Sequence, residues 1–181
     1  SQSDSSGTLL ESQIQPLPLK RGSLELTKTV NSLEVLENQA VFSLSNIPDR
    51  PGIAAQIFEK LSEASISVDL IIQATNDGNK NDITFTVSEL EVKKTAEQCE
   101  LITSQLGGEY NLKTNMTKLS IQGAGIMGRP SVSADLFDTL SQANINVRLI
   151  ATSEIKVSCV IEINNIPKAI RFVAEKFKLS D

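Results

Sequence analysis

The sequence predicts an α+β protein built from two ferredoxin-like βαββαβ units, the first inserted in the second. Three observations carry this expectation. The stretch from Arg50, "RPGIAAQIFEKLSEASISVDLI", returns from Arg129 as "RPSVSADLFDTLSQANINVRLI", identical at half of its positions, which marks an internal duplication. Around each copy the apolar spacing alternates between strand-like and helix-like periods. The second copy ends after its last helix with its sheet one strand short, while strand-like residues stand unassigned ahead of the first copy.

Taken in order, Ser1 to Ser23 is rich in Ser, Gln and Pro with little periodicity and reads as a linker or tail. Order is expected to begin near Leu24. "AVFSLSNI" (Ala40 to Ile47) alternates as a strand. Pro48 to Gly52 turn the chain, and Pro51 suits the first turn of a helix, where its missing N–H has no intrahelical partner. Ile53, Ile57, Phe58 and Leu61 then form one apolar helix face. Ile66 to Gln73 is a β-rich run, Asp77-Gly78 a hairpin-type turn, and Asp82 to Ser88 the returning strand. A helix over about Lys94 to Leu106 and a fourth strand in "GGEYNLKTN" complete the unit.

The second copy opens with a strand from Thr117 and the loop "AGIMGRP". Val132, Leu136, Phe137 and Leu140 make its helix face. Strands follow from Ile145 and Lys156, then a helix over about Pro167 to Phe177. The missing strand is assigned to Leu26 to Leu36, because an open four-stranded sheet edge is a pairing liability. The expected domains are therefore 38–115 and, around it, 24–37 with 116–181.

Composition narrows the function. The 181 residues are 40% hydrophobic, with no apolar run long enough for a bilayer. No secretory leader pattern opens the chain, so a soluble intracellular, cytoplasmic protein is expected. Cys99 and Cys159 have no metal-ligand spacing and read as reduced core thiols. Histidine is absent, which removes the commonest general base and metal ligand. No phosphate-binding glycine loop occurs. A net charge of −5 with 4% aromatic residues disfavours nucleic acid. No catalytic residue, metal or cofactor is expected.

"NIPDRPGIAAQIFEKLSEASISVDLIIQ", "NDITFTV", "GAGIMGRPSVSADLF" and "INVRLIATSEIKVSCVI" closely resemble the paired ACT domains of aspartokinase, of the lysine- and threonine-sensitive bacterial or cyanobacterial type. The resemblance runs from about Val35 to the end, and "SDSSGTLLE" looks like the worn close of a kinase domain. It implies a regulatory region that binds L-threonine, L-lysine or both and feeds back on ATP-dependent phosphorylation of aspartate. That step serves lysine, threonine and methionine biosynthesis. The implied partners are the aspartokinase catalytic domain and a second copy in a homodimer; nucleic acid and membrane are not expected. The kinase portion is not in this sequence, so the chain reads as a regulatory fragment or separate regulatory chain without activity alone. Two other readings stay open: a free-standing ACT sensor serving another enzyme, and a small enzyme of ferredoxin-like fold.

The loops have chemistry suited to an amino acid. A helix N-terminus offers free N–H groups and a positive dipole end to a carboxylate. Gly52, Ile53 and Ala54 allow close backbone approach, Asp49 can accept from the ammonium group, and Gln73 can bond a side-chain hydroxyl. Asp49 is equally a turn or cap residue when taken alone, and Gln73 a solvated strand end. The resemblance adds the backbone of Asn146 and Val147 from the second copy, with Asn144 shaping that edge. The second loop departs from the first, with Gly128 in place of Asp49 and Ser131 in place of Gly52. A pseudo-symmetric site there would use Ile126, Val132, Ser133, Thr152, Ser153 and Glu154, with Ser67, Val68 and Asp69 of the first copy. The resemblance makes lysine its usual guest. Glu154 or Asp69 either balances the lysine ammonium or is a plain surface charge.

Overall fold

A computed structural model describes residues 29–76 and 78–179. The expected tail, residues 26–28 of the crossing segment, and Asp77 lie outside these. The elements are β1 (Ser32–Pro48), α1 (Ile53–Glu63), β2 (Ile71–Thr75), β3 (Lys80–Ser88), α2 (Val92–Leu106), β4 (Glu109–Gln122), α3 (Pro130–Gln142), β5 (Leu149–Thr152), β6 (Lys156–Glu162) and α4 (Ile166–Lys176). Short 3₁₀ turns, Glu89–Glu91 and Ile163–Asn165, lead into α2 and α4.

One sheet holds all six strands in the order β2-β3-β1-β4-β6-β5, with every neighbouring pair antiparallel. Each long central strand serves both units. The late half of β1 lies between β3 and the early half of β4 (Gln39 opposite Ser88, Ser43 opposite Asn111), whereas its early half pairs with the late half of β4 (Ser32 opposite Gln122, Leu36 opposite Lys118). The strands expected at Ala40 and within Leu26 to Leu36 are thus one continuous strand, as are those expected in "GGEYNLKTN" and from Thr117. The alternation breaks between the halves, so the sequence pattern reads as two segments.

The break is a pair of compensating bulges. Between Leu36 and Gln39 strand β1 has one residue more than β4, and between Gln39 and Val41 it has one fewer. Asn38 (φ 55°) and Asn115 (φ 59°) take left-handed conformations beside these shifts, which asparagine tolerates better than most residues. An extra residue moves the next side chains to the other face. Leu33 and Val35 of β1 accordingly pack on the core beneath α3 and α4, and Ala40, Phe42 and Leu44 on the core beneath α1 and α2.

The first core joins Phe42, Phe85, Ile57 and Leu61; the second joins Leu119, Ile121, Leu136 and Cys159. Phe42 and Phe85 stack with ring centroids 5.7 Å apart. A third cluster ties the copies together on the opposite sheet face. Val41 and Leu70 of the first copy meet Val160 and Leu149 of the second around Met116, and the Lys118 ammonium reaches the Asp69 carboxylate at 2.7 Å.

The helix starts differ in the two copies. Pro51 lies in a turn rather than in the helix, because Gly52 (φ 88°) holds a left-handed conformation before Ile53. Ser131 replaces that glycine in the second copy, and α3 begins directly at Pro130. Among the described residues no helix is long and apolar enough to cross a membrane.

Met116 is 1% exposed and central to the joining cluster. Met116→Ala should therefore lower stability by about 2–5 kcal/mol, seen as a reduced urea midpoint with an unchanged slope.

Candidate functional site

At the outer end of the first unit, β1 runs out at Pro48 and the chain crosses to the N-terminus of α1. Asp49 donates its backbone N–H to the Asn79 carbonyl at 3.2 Å, and its Oδ1 accepts from Nδ2 of Asn81 at 3.2 Å. The carboxylate is thereby held beside the first turn of α1. Ile53 bonds back to the Arg50 carbonyl and Gln56 to that of Gly52. A Cβ on Gly52 would meet nothing within 4 Å. Its glycine is required by φ, not by crowding.

Gln73 sits on β2 opposite Ile83, and Thr75 opposite Asn81. Strand alternation puts Gln73, Thr75 and Asn81 on the helix-bearing face, towards the α1 end. Asp49, Gly52, Ile53, Ala54 and Gln73 are thus gathered at one end of the first unit. Together they present a braced carboxylate, the first turn of α1 and an amide, with the Ile53 N–H already given to the Arg50 carbonyl.

Asn144, Asn146 and Val147 lie elsewhere. They precede β5, the edge strand opposite β2 in the sheet order, so one chain does not bring them to Asp49. Asn144 has a turn function of its own. It adopts φ 59° after α3 and donates its backbone N–H to the Ser141 carbonyl, while Ile145 reaches back to Leu140. Ser65 and Ile66 make the same pair of bonds after α1. Asn146 is exposed, and Val147 packs partly on the second core.

The second set divides likewise. Ile126, Ser133, Thr152, Ser153 and Glu154 line one cavity of about 410 Å³ with the Met127 to Pro130 loop. Val132 is buried behind it in the core and donates its backbone N–H to the Arg129 carbonyl. Ser67 and Asp69 line a separate cavity of about 520 Å³ at the junction of the units, beside Leu36, Gln39 and Leu90. Val68 packs against the first core. The Asp69 carboxylate is already paired with Lys118, whereas Glu154 stands exposed at its cavity.

Asn81 is the site residue that sequence reasoning missed. It is 3% exposed and lies within "TNDGNKND", where its neighbours make turn chemistry the natural reading. The available signal was position: Asn81 starts the run "NDITFTV", where an isoleucine stands in the matching run of the second copy.

The chain belongs to the ACT domain family: its model matches residues 45–100 and 119–177. Among curated relatives, the aspartokinase of Thermus thermophilus is 34% identical over 163 residues, covering 89% of this chain and 40% of the relative. The chain thus spans about 40% of the length of the first curated relatives it matches. The regulatory subunit of aspartate kinase from Thermus thermophilus, solved without ligand, superposes with a TM-score of 0.78 at 34% identity, covering 83% of this chain and 99% of that one. Aspartate kinase from Synechocystis gives a TM-score of 0.81 at 35% identity, covering 86% and 28%. With two ACT units and these relatives, the chain is a regulatory region of the aspartokinase type.

Among the described residues no cluster of three or more His, Cys, Asp or Glu is placed to hold a metal ion. Both cysteines are buried and free. Burial pushes each thiol up to about 12, with the Glu100 carboxylate adding to the rise at Cys99. The nucleophile is the thiolate, so neither sulfur should react with a disulfide reagent at pH 8 while the protein is folded. Both should titrate after unfolding in urea; rapid labelling of the folded chain would contradict this burial.

Proposed function

We propose that this chain senses L-threonine, L-lysine or both and relays their concentration to an aspartokinase catalytic domain, as feedback inhibition of aspartate phosphorylation in the cytoplasm. The observation that supports it most is the Asp49 carboxylate, held by Asn81 beside the open N-terminus of α1, with Gln73 on the same face. In this reading Asp49 receives the effector ammonium, the backbone at Gly52, Ile53 and Ala54 receives its carboxylate, and Gln73 bonds a side-chain hydroxyl. The cavity at Thr152, Ser153 and Glu154 takes the second effector, and a carboxylate there favours lysine. The regulatory units are 38–115 and, around it, 24–37 with 116–181.

The partner halves of both sites come from a second chain. Asp49 belongs to the first unit, with β2 at its edge, and Asn146 to the second, just before the opposite edge strand β5; Ser67 and Thr152 are likewise divided between the units. Ile71 on β2 is 52% exposed and Ile150 on β5 is 46% exposed, and both strands are unpaired on one side. Edge-to-edge pairing of two chains covers these residues and joins a β2 edge to a β5 edge, which completes each site. Light scattering should therefore report a homodimer at micromolar concentration; a strict monomer with and without threonine and lysine would count against it.

An effector regulates only through different affinities for two arrangements of the units. Coupling to the kinase of roughly 1–3 kcal/mol is needed. The direct test is a thermal-shift screen of the twenty amino acids. A ligand at a hundred times its Kd stabilises by about 2.7 kcal/mol, so threonine or lysine should raise Tm distinctly and the others little. Asp49→Ala removes a charge-assisted bond contributing roughly 1.5–3 kcal/mol, a loss of about tenfold or more in threonine affinity by calorimetry. Its circular dichroism should be unchanged. Equal affinity in a folded Asp49→Ala variant would remove the first site.

A further inference from the structure

We infer that Asn81 is the positioning residue of the Asp49 site, orienting the carboxylate towards the ligand ammonium while tying it to strand β2; this inference rests on the effector reading above. Asn81 lies near the start of β3, opposite Ile47 of β1 on one side and Thr75 of β2 on the other. Its side chain is almost wholly buried yet makes two polar contacts. Nδ2 donates to Oδ1 of Asp49 at 3.2 Å, and Oδ1 accepts from the Thr75 hydroxyl at 2.9 Å.

A buried amide is costly unless it is bonded. Both bonds of Asn81 go to residues at the rim of the site, and neither goes to the core. The second copy supplies the control. Aligning "NDITFTV" with "IKVSCVI" puts Ile155 at the position of Asn81, and the loop alignment puts Gly128 at that of Asp49. Ile155 is 48% exposed and lies just before β6, so the second copy has no buried amide at this point, and amide and carboxylate are absent there together.

The geometry divides the labour. One carboxylate oxygen of Asp49 is occupied by the Asn81 amide, which restricts rotation of the carboxylate. The other oxygen is left for an ammonium donor. Thr75 fixes the amide in turn, since an acceptor at Oδ1 settles which end of the side chain faces Asp49. Thr75 is also two residues from Gln73 on the same face of the same strand. Asn81 thus sets the spacing between the group that reads the ammonium and the group that reads the side chain, which matters for telling one amino acid from another.

The test is a double-mutant cycle on the full chain, titrated calorimetrically with L-threonine. Asn81→Leu keeps a branched side chain but deletes both bonds and should weaken binding about fivefold, less than the loss from Asp49→Ala, because Asn81 orients the carboxylate without touching the ligand. In the Asp49→Ala background the same change should have almost no further effect, because Asn81 acts through that carboxylate. Asn81→Gln, which restores an amide donor, should recover part of the affinity. If Asn81→Leu does not fold, Thr75→Val on the exposed edge strand takes its place, with a loss of about twofold that also vanishes in the Asp49→Ala background. Wild-type affinity in Asn81→Leu, or additive losses in the cycle, would overturn the inference while leaving the effector site standing. No amino-acid binding by the wild type would overturn the effector reading and this inference together.

Discussion

The hydrogen-bonded ladder between β1 and β4 is the interaction on which the rest of the structure depends. It runs from Ser32 opposite Gln122 to Ser45 opposite Glu109, through both units. An antiparallel pair of this length would ordinarily present one continuous face to one core. Here the two bulges let each strand change its parity, so that Val35 and Phe42, an odd and an even position, both point towards helices. The two units therefore share a backbone while keeping separate cores. At the bulged middle Asn38 and Asn115 depart from strand geometry.

That middle is not loose. Met116 and Val160 are essentially buried there, and the Asp69–Lys118 pair spans the copies with the lysine side chain only 16% exposed. Glu89 adds a bond from its carboxylate to the backbone N–H of Asn115, which fastens the turn before α2 of the first unit to the bulge in β4. Apolar burial holds the halves together, and the polar contacts select one arrangement among those that apolar packing permits. The strand starts near Asp69 and Arg148 border this junction. Arg148 shows the link directly, donating its backbone N–H to the Val160 carbonyl beside the cluster.

Much of this architecture was legible in the sequence, because duplication and helix faces are written in spacing. Ile57 and Leu61, then Leu136 and Leu140, are buried as their periods require. The continuity of β1 and β4 was not legible. "LENQ" and "KTNM" interrupt the alternation with polar residues at the bulges, and a local pattern cannot distinguish a bulge from a strand end. Of the candidate site, the turn at Asp49 and Gly52 and the strand carrying Gln73 were legible from the residue pattern; their joint role in binding belongs to the proposal above. Asn81 escaped because its partners are 6 and 32 residues away, and nothing in a run of turn-forming residues announces a buried one. The separation of Asp49 from Asn146 was also hidden, since it follows from strand order and not from either segment.

Strand order also sets what a duplicated chain of this kind can bring together. Each copy has a loop end, where helix N–H groups collect, and a strand-start edge, where backbone is exposed. Within one chain the Asp49 loop closes the outer end of the first unit, whereas Asn146 precedes β5 of the second, with β1 and β4 at the centre of the sheet. Under the proposal above, a ligand that needs both draws them from two chains. The asymmetry between the copies then has a physical use. The first loop keeps a carboxylate braced by a buried amide, while the second replaces both and opens onto a cavity lined by Thr152, Ser153 and Glu154. The two loop ends therefore present different chemistry from one shared ladder.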